Sequence, residues 1–276
     1  MSDVTTESRL PKPRPGVRDE NLDKADDLLD RLSPRGADWQ PDPKAWIFHG
    51  HGDADWELKA RAIREPAALG EYGYPPRGTD WVSIGAAERA LLKRFEESLN
   101  EQGLHVPSDP YALRALAQHH RLPTILFDWT RRAFVAAYFA AVQATEEMAK
   151  RRVDYLGVWA LYAPSGHSDI RVFEPHASTN PNLRAQSGIF LDPSQFSIGG
   201  QSLEVEIARN RPQTTSVVSR IRRFNLRTTQ ARRLLRILSY EGITGASMFP
   251  GADGVVKAMR ERALCDDGSD DGGQQP

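Results

Sequence analysis

The chain has 276 residues, of which 39% are hydrophobic and 26% are charged, and its formal net charge is −1 at pH 7. This composition is typical of a globular protein that buries an apolar core. The balanced charge argues against a protein that coats nucleic acid by bulk electrostatic attraction, because such domains carry a marked basic excess.

The single cysteine, Cys265, cannot form an internal disulfide, which fits a reducing compartment. The first sixteen residues lack the apolar core of a signal peptide. No later stretch approaches the ~20 apolar residues that span a bilayer. We therefore expect a cytoplasmic protein without a membrane partner.

We predict one domain over residues 18–263, between two disordered tails. Residues 1–17 mix proline with charges of both signs and have no periodic apolar positions. Residues 264–276 form an acidic, glycine-rich tail.

The first half of the domain is predicted to be mainly helical. Apolar residues at helical spacing indicate helices over 21–32, 83–100, 109–119 and 131–151. Short buried strands are predicted over 45–48 and, after the helix-breaking Pro123, over 124–127. Asp128 or Thr130 is then expected to cap the helix that follows.

The second half of the domain is predicted to be richer in strands. An apolar, aromatic run over 155–163 predicts a central strand. Further strands are predicted in IRVFE, SGIFLD, LEVEIA and VVSRIRRF, with helices over 229–240 and from Asp253. Helices followed by strands indicate an α+β fold, a single domain with a mixed, mostly antiparallel sheet flanked by helices.

Two basic clusters are candidates for contact with phosphate groups. One comprises Arg220, Arg222 and Arg223, and the other comprises the arginines of segment 232–236. Both clusters are also explained by a solvated strand edge and the polar face of a helix. Nucleic acid is therefore one possible partner.

Two long segments together resemble the FRG domain family. WIFHGHGDADWELKARAIRE is similar to its N-terminal motif, which is built around an aromatic-Arg-Gly triplet, and LRALAQHHRLPTILFDWTRRAFVAAYFAA is similar to its central motif. Two weaker similarities, RAQSGIFL and LRILSYEGITGASMFPGADGVVKAM, extend the resemblance over about 45–259. The resemblance implies a bacterial or phage domain with a role in defence or toxin systems.

The name-giving triplet of the family is altered in this chain. His49 stands where the family has arginine, and His51 stands where it commonly has glutamine. ADP-ribosyltransferases place an Arg-Gly or a His-Gly pair at the end of their first core strand, where that side chain holds the ribose of NAD. By this analogy His49 binds NAD, with His51 on the same strand face and Gly50 allowing close approach of the ligand.

Such enzymes also need a glutamate that stabilises the positive charge of the transition state. Glu206, in LEVEIA, is the available candidate. The alternative is that Glu204 and Glu206 occupy the solvent face of an edge strand.

The central motif supplies two further catalytic candidates. His119 is a candidate general acid or base, since its ordinary pKa suits proton transfer near neutral pH. It is equally explained as a residue that interacts with the end of a helix. Asp128 is expected to orient His119 or a bound ribose, unless it serves only as a helix cap.

The remaining candidates are polar residues expected to contact the ligand. Gln118, Thr124 and Thr130 belong to the central motif, and Gln186 precedes the predicted strand SGIFLD. Gln186 is expected to line the same cleft, or else to contact the backbone of a turn.

These residues favour a nucleotide-handling enzyme of the ADP-ribosyltransferase type that uses NAD and an unknown macromolecular acceptor. A non-catalytic module that senses a ligand or nucleic acid is the first alternative. The second is a metal-dependent hydrolase, because HGHGD resembles the start of the His-x-His-x-Asp-His motif of metallo-β-lactamase-like enzymes. Ala54 replaces the last histidine of that motif, so we expect no metal.

Overall fold

A computed structural model of the chain describes residues 9–36, 39, 42–164, 171–174, 181–193, 202–209 and 220–266. The strands are β1 (Val17–Leu22), β2 (Trp46–His51), β3 (Phe127–Thr130), β4 (Tyr155–Tyr162), β5 (Arg171–Phe173), β6 (Gly188–Asp192) and β7 (Ile221–Arg227). The helices are α1 (Ala25–Leu32), α2 (Arg61–Arg64), α3 (Ala67–Gly70), α4 (Trp81–Glu101), α5 (Pro110–His119), α6 (Ala133–Met148), α7 (Pro181–Ala185), α8 (Leu203–Arg209), α9 (Ala231–Tyr240), α10 (Gly245–Met248) and α11 (Ala252–Asp266).

The strands of the described residues form one sheet in the order β1-β7-β4-β2-β3-β6-β5. β1 pairs with β7 in parallel, and the other described pairs are antiparallel. This arrangement confirms the predicted α+β fold with a mixed, mostly antiparallel sheet. No helix in the described parts of the chain has the length and apolar character needed to cross a membrane.

Hydrophobic cores cover both faces of the sheet. On one face α6 and α9 pack against β4 and β7, and on the other face α4 packs against residues of β2, β3 and β4. Because both faces are covered, β4 is buried along seven of its eight residues, and the sequence shows a continuous apolar run there.

Helix α6 lies very close to β2. A Cβ atom added at Gly50 would lie 2.1 Å from the carbonyl oxygen of Ala136, and one at Gly52 would lie 2.6 Å from Gln143. The glycines of HGHG therefore allow the helix to approach the strand. Gly50 also lines a cavity, where the predicted close approach of a ligand stays a prediction.

Several predicted elements begin or end at other residues than expected. The helix predicted over 21–32 begins at Ala25, because Asn21 and Leu22 pair with β7 as part of β1. The strand predicted over 124–127 is β3, which begins at Phe127. The strand predicted in VVSRIRRF begins at Ile221, and its residues 217–219 lie outside the described residues.

The strand predicted in LEVEIA was wrong, since this segment is helix α8. Glu204 and Glu206 are buried, so they do not lie on the solvent face of an edge strand. The backbone N–H of Leu58 donates to Glu204 Oε2 at 3.2 Å. Contacts with the rest of the fold therefore override the alternating pattern of apolar and polar residues.

Part of the predicted N-terminal tail belongs to the folded domain. Arg223 Nη2 donates to the carbonyl oxygen of Lys12 at 2.7 Å, and Arg14 Nη2 donates to that of Asp55 at 2.5 Å. At the other end α11 continues to Asp266, beyond the predicted start of the acidic tail. Residues 1–8 and 267–276 lie outside the described residues, where the disorder of both tails stays a prediction.

The first basic cluster is not a surface patch. Arg222 and Arg223 are buried, and their guanidinium groups lie over the rings of Trp46 and Trp159 at 4.9 and 5.1 Å from the ring centroids. In the second cluster Arg233 forms an ion pair with Asp26. These arginines serve the packing and surface pairing of the domain.

Candidate functional site

The candidate site lies where β2 and β3 separate. Among the described residues the two strands pair at one position, where Phe48 stands opposite Thr130. Beyond this pair the strands diverge, and two cavities open beside them. His49 and Asp128 line both cavities.

The first cavity, here called the apolar cavity, has a volume of about 260 Å³. Its described wall combines aromatic and aliphatic side chains with two amides: Phe48, Trp129, Phe139, Leu183, Ile189, Gln143 and Gln186. The second, here called the cationic cavity, has a volume of about 250 Å³. Its described wall includes four cationic side chains: Lys59, Arg61, Arg64 and Arg121.

His49 joins the two strands through its side chain. The distance between His49 Nδ1 and the carbonyl oxygen of Asp128 is 2.6 Å. Since a carbonyl oxygen only accepts, Nδ1 carries the hydrogen and Nε2 of the neutral ring is an acceptor. Burial lowers the pKa of His49 to about 4, which outweighs the hydrogen bond to Asp128. His49 is therefore neutral at pH 7.

His51 lies on the same face of β2, as predicted. Its ring centroid is 4.6 Å from that of His49. Trp159 Nε1 donates to His51 Nδ1 at 3.2 Å, so Nε2 carries the hydrogen of the neutral ring. Burial, reinforced by the neighbouring His49 and by the charge of Arg64, holds the pKa of His51 well below its ordinary value.

Asp128 lies at the end of a chain of side-chain hydrogen bonds. Thr124 Oγ1 donates to Gln118 Oε1 at 2.7 Å, and Gln118 Nε2 donates to Asp128 Oδ1 at 2.6 Å. Solvent reaches part of Asp128, but desolvation within the cleft raises the pKa of its carboxyl to about 6, against the opposing effects of Gln118 and Arg64. The predicted alternative role of Asp128 as a helix cap is wrong, because the residue belongs to β3.

Thr130 and Gln186 line the apolar cavity together. Thr130 Oγ1 donates to the carbonyl oxygen of Gln186 at 2.7 Å and accepts from the backbone N–H of Arg132 at 3.0 Å, at the start of α6. Gln186 Nε2 donates to the carbonyl oxygen of Met248 at 3.0 Å. Gln186 thus lines the cleft and contacts backbone, so both roles considered for it are present.

Two predicted catalytic residues do not join the site. His119 is exposed at the end of α5, with its ring 5.1 Å from that of His120, and it lines neither cavity. Glu206 is buried on α8 beside Arg209 and also lines neither cavity. The catalytic roles predicted for His119 and Glu206 therefore have no support in the geometry.

The cationic wall was missed at the level of sequence. Arg61 and Arg64 belong to ARAIRE and Arg121 to HHRLPT, segments that are far apart in the chain. Arg61 Nη1 donates to the carbonyl oxygen of Arg121 at 2.7 Å, which joins them in one wall. The arginines of the two motifs were the available sign of a cationic site. Neither motif indicates, however, that these arginines lie close together in the fold.

The HGHGD segment is arranged for packing and ion pairing. Asp53 Oδ2 lies 2.8 Å from Arg151 Nη1, and Asp53 Oδ1 accepts from the backbone N–H of Asp55 at 2.8 Å. Within the described ranges, no group of three or more His, Cys, Asp or Glu residues is placed to hold a metal ion.

The fold and cleft define an α+β domain whose site lies between its two sequence motifs. The family model of the FRG domain matches residues 44–149, which include β2, β3, α6, both histidines and the Asp128 network. This segment is an FRG domain, as the resemblance of the two motifs predicted. No curated protein and no solved structure shows a significant match to the chain.

Proposed function

We propose that the protein is a nucleotide-handling enzyme of the ADP-ribosyltransferase type, which binds NAD between β2 and β3 and cleaves the bond between nicotinamide and ribose. One observation carries the proposal: His49 and Asp128 border an apolar cavity on one side and a cationic cavity on the other. A dinucleotide is divided in the same way, because each ribose lies between a flat ring and the charged phosphates. The family resemblance supports action in bacterial or phage defence or as a toxin. The single cysteine fits action in the cytoplasm.

His49 is suited to bind the ribose. Its Nδ1 hydrogen is held by the Asp128 carbonyl, which leaves Nε2 as a hydrogen-bond acceptor. The low pKa keeps the ring neutral, so Nε2 accepts a hydrogen bond from a ribose hydroxyl throughout the physiological pH range. This gives His49 the role that the analogy with His-Gly transferases assigned to it.

Asp128 takes the role first considered for Glu206. Of the carboxylates in the described residues, Asp128 alone lines the two cavities. As the carbon–nitrogen bond breaks, nicotinamide leaves with the bonding electron pair and positive charge develops on the ribose. The ionised Asp128 stabilises that charge and accepts the proton that the attacking hydroxyl or water loses when its oxygen bonds to the ribose carbon.

Gln118 positions the Asp128 carboxylate. Its amide donates to Oδ1 and is itself fixed by the hydroxyl of Thr124. Because both the nitrogen and the oxygen of the Gln118 amide are hydrogen-bonded, the side chain loses little conformational freedom when a ligand binds. This favours a preorganised site. Because Gln118 occupies Oδ1, Oδ2 of Asp128 is the oxygen left for contact with the substrate.

The test is release of nicotinamide from NAD by the purified full chain. We expect release by the wild type and none by the double variant His49→Phe/Asp128→Asn, with both proteins folded by circular dichroism. Tight binding of NAD by the wild type without release of nicotinamide would overturn the catalytic proposal in favour of a ligand-sensing module. Absence of both binding and release would overturn NAD as the ligand.

A further inference from the structure

The cationic cavity carries positive charge that its surroundings do not neutralise. Lys59 Nζ lies 2.7 Å from Glu57 Oε2, and Arg61 Nε lies 3.2 Å from Glu65 Oε2. These two cations are paired at the rim. The other two, Arg64 and Arg121, form no side-chain hydrogen bond or ion pair with the part of the chain that the structure describes.

Asp128 does not neutralise Arg64 and Arg121 by direct pairing. Its Oδ1 accepts from Gln118, and its carboxyl has a raised pKa, whereas a paired carboxylate would have a lowered one. The charge of Arg64 still reaches the site, since it lowers the pKa of His49, His51 and Asp128. Arg64 lines the same cavity as His49 and Asp128, so it is placed to bind a group attached to a ribose at His49.

Arg121 stands in a backbone conformation that favours glycine. Its φ angle is 64°, in the left-handed region. It follows α5, where the N–H of Leu122 donates to the carbonyl oxygen of Ala117 at 3.0 Å, an arrangement in which helices commonly end on glycine. A long cation at this strained position, with its side chain on a cavity wall, points to a use for the guanidinium.

We infer that the cationic cavity is a phosphate subsite, in which Arg64 and Arg121 bind the diphosphate of a nucleotide whose ribose lies at His49 and Asp128. Guanidinium groups suit this ligand because each can donate two parallel hydrogen bonds to phosphate oxygens. The inference rests on the proposed function only for the place of the ribose. Binding of the diphosphate itself requires no reaction.

The test compares the binding of ADP and adenosine by calorimetric titration of the full chain. The variants are Arg64→Ala, Arg121→Gly and the control Arg262→Ala, which alters an exposed arginine on α11 away from both cavities. We expect the wild type to bind ADP more tightly than adenosine, and each cavity variant to weaken ADP by about tenfold or more, the loss of one charge-assisted contact. Adenosine affinity should not change.

Arg121→Gly separates binding from folding. Glycine relieves the strain at φ 64°, so the melting temperature should stay the same or rise while ADP affinity falls. Lower affinity together with lower stability in this variant would indicate a structural role and overturn the inference. Wild-type ADP affinity in Arg64→Ala and Arg121→Gly would overturn it as well, as would retention of RNA without any binding of ADP.

The outcomes also separate this inference from the proposed function. Loss of ADP binding in the variants, combined with no release of nicotinamide by the wild type, would support the phosphate subsite and contradict the reaction. Release of nicotinamide that is unchanged in both variants would support the reaction and overturn the subsite.

Discussion

His49 donates its Nδ1 hydrogen to the carbonyl oxygen of Asp128 across 2.6 Å, at the point where β2 and β3 stop pairing. By the register of the two strands, Gly50 would stand opposite Asp128 if the ladder continued. The His49 imidazole thus donates to a main-chain carbonyl that, in a regular antiparallel pair, would accept from the backbone of β2. His49 therefore holds the two strands together at the opening of the cleft and presents Nε2 to the cleft as a hydrogen-bond acceptor.

The two functions of His49 can be separated with a pair of variants. In His49→Asn the amide nitrogen replaces Nδ1 as a donor to Asp128, so the free energy of unfolding should stay within about 1 kcal/mol of wild type. His49→Phe leaves that carbonyl without a partner and should lose about 1–3 kcal/mol. Both variants lack Nε2 and should release nicotinamide much more slowly. Urea denaturation and nicotinamide release measure these effects, and an active His49→Phe would refute the ribose-binding role.

The pH dependence of the reaction should report Asp128. Its pKa of about 6 lies above the ordinary value, and the ionised form is the one that stabilises positive charge. Activity should therefore rise with pH through about 6 and level off above it. The pKa of His49, about 4, lies below this range, so His49 stays neutral throughout.

The measurement is kcat/KM between pH 5 and pH 8. Gln118→Leu provides the comparison, because it removes the hydrogen bond that lowers the pKa of Asp128. The midpoint of the profile should shift to higher pH in this variant. An unchanged midpoint would show that another group sets the profile.

Gly50→Ala tests whether this glycine serves packing or ligand approach. The added Cβ would lie 2.1 Å from the Ala136 carbonyl oxygen, so α6 and β2 must separate, at a cost of about 1–3 kcal/mol or more in unfolding free energy. The control is Gly85→Ala, within α4, where the nearest atom is the flexible end of Arg89 at 3.4 Å. The control should be neutral or stabilising by about 0.5–1 kcal/mol. A Gly50→Ala variant of wild-type stability would contradict the packing role.

Glu88 should make the stability of the domain depend on pH. It is buried beneath the central motif, where its Oε1 accepts from the backbone N–H of Ile125 at 2.9 Å and Arg114 lies 3.3 Å from Oε2. Desolvation raises the pKa of Glu88 to about 7, despite the opposing charge of Arg114. The folded chain therefore holds a proton that the unfolded chain loses at lower pH.

The stability that this proton confers is fully present below the ordinary pKa of 4.5 and is lost as pH rises through about 7. Between pH 5 and pH 8, the wild type should lose about 2 kcal/mol of unfolding free energy relative to Glu88→Gln, which mimics the protonated form. Urea denaturation at both pH values measures the difference. Equal pH dependence in the two proteins would show that Glu88 does not titrate in this range.

The sequence predicted the fold where local pattern and tertiary packing agree. The strand at 155–163 and the helix at 83–100 were found because their apolar residues match the buried surfaces of β4 and α4. α8 was missed because LEVEIA alternates like a strand, while Glu204 is buried by its contact with Leu58. That contact joins residues 146 positions apart and leaves no local trace in the sequence.

The candidate site was predicted in part. His49, Asp128 and Gln186 line the apolar cavity as expected, and Gln118 lines the cationic cavity with His49 and Asp128, since the two motifs flank adjacent strands β2 and β3. His119 lies away from the site, because at the end of a helix neighbouring residues point in different directions and Gln118 takes the inward position.

The most direct test of the central claim compares Asp128→Asn with Glu206→Gln in nicotinamide release from NAD. Both changes replace a carboxylate with an amide of the same shape, but only Asp128 lines the cleft. Asp128→Asn should reduce the rate by about 10²-fold or more, a typical cost of losing one electrostatic contact to the transition state. Glu206→Gln should stay within about threefold of wild type. Full activity in Asp128→Asn, with loss of activity in a folded Glu206→Gln, would contradict the assignment of the catalytic carboxylate.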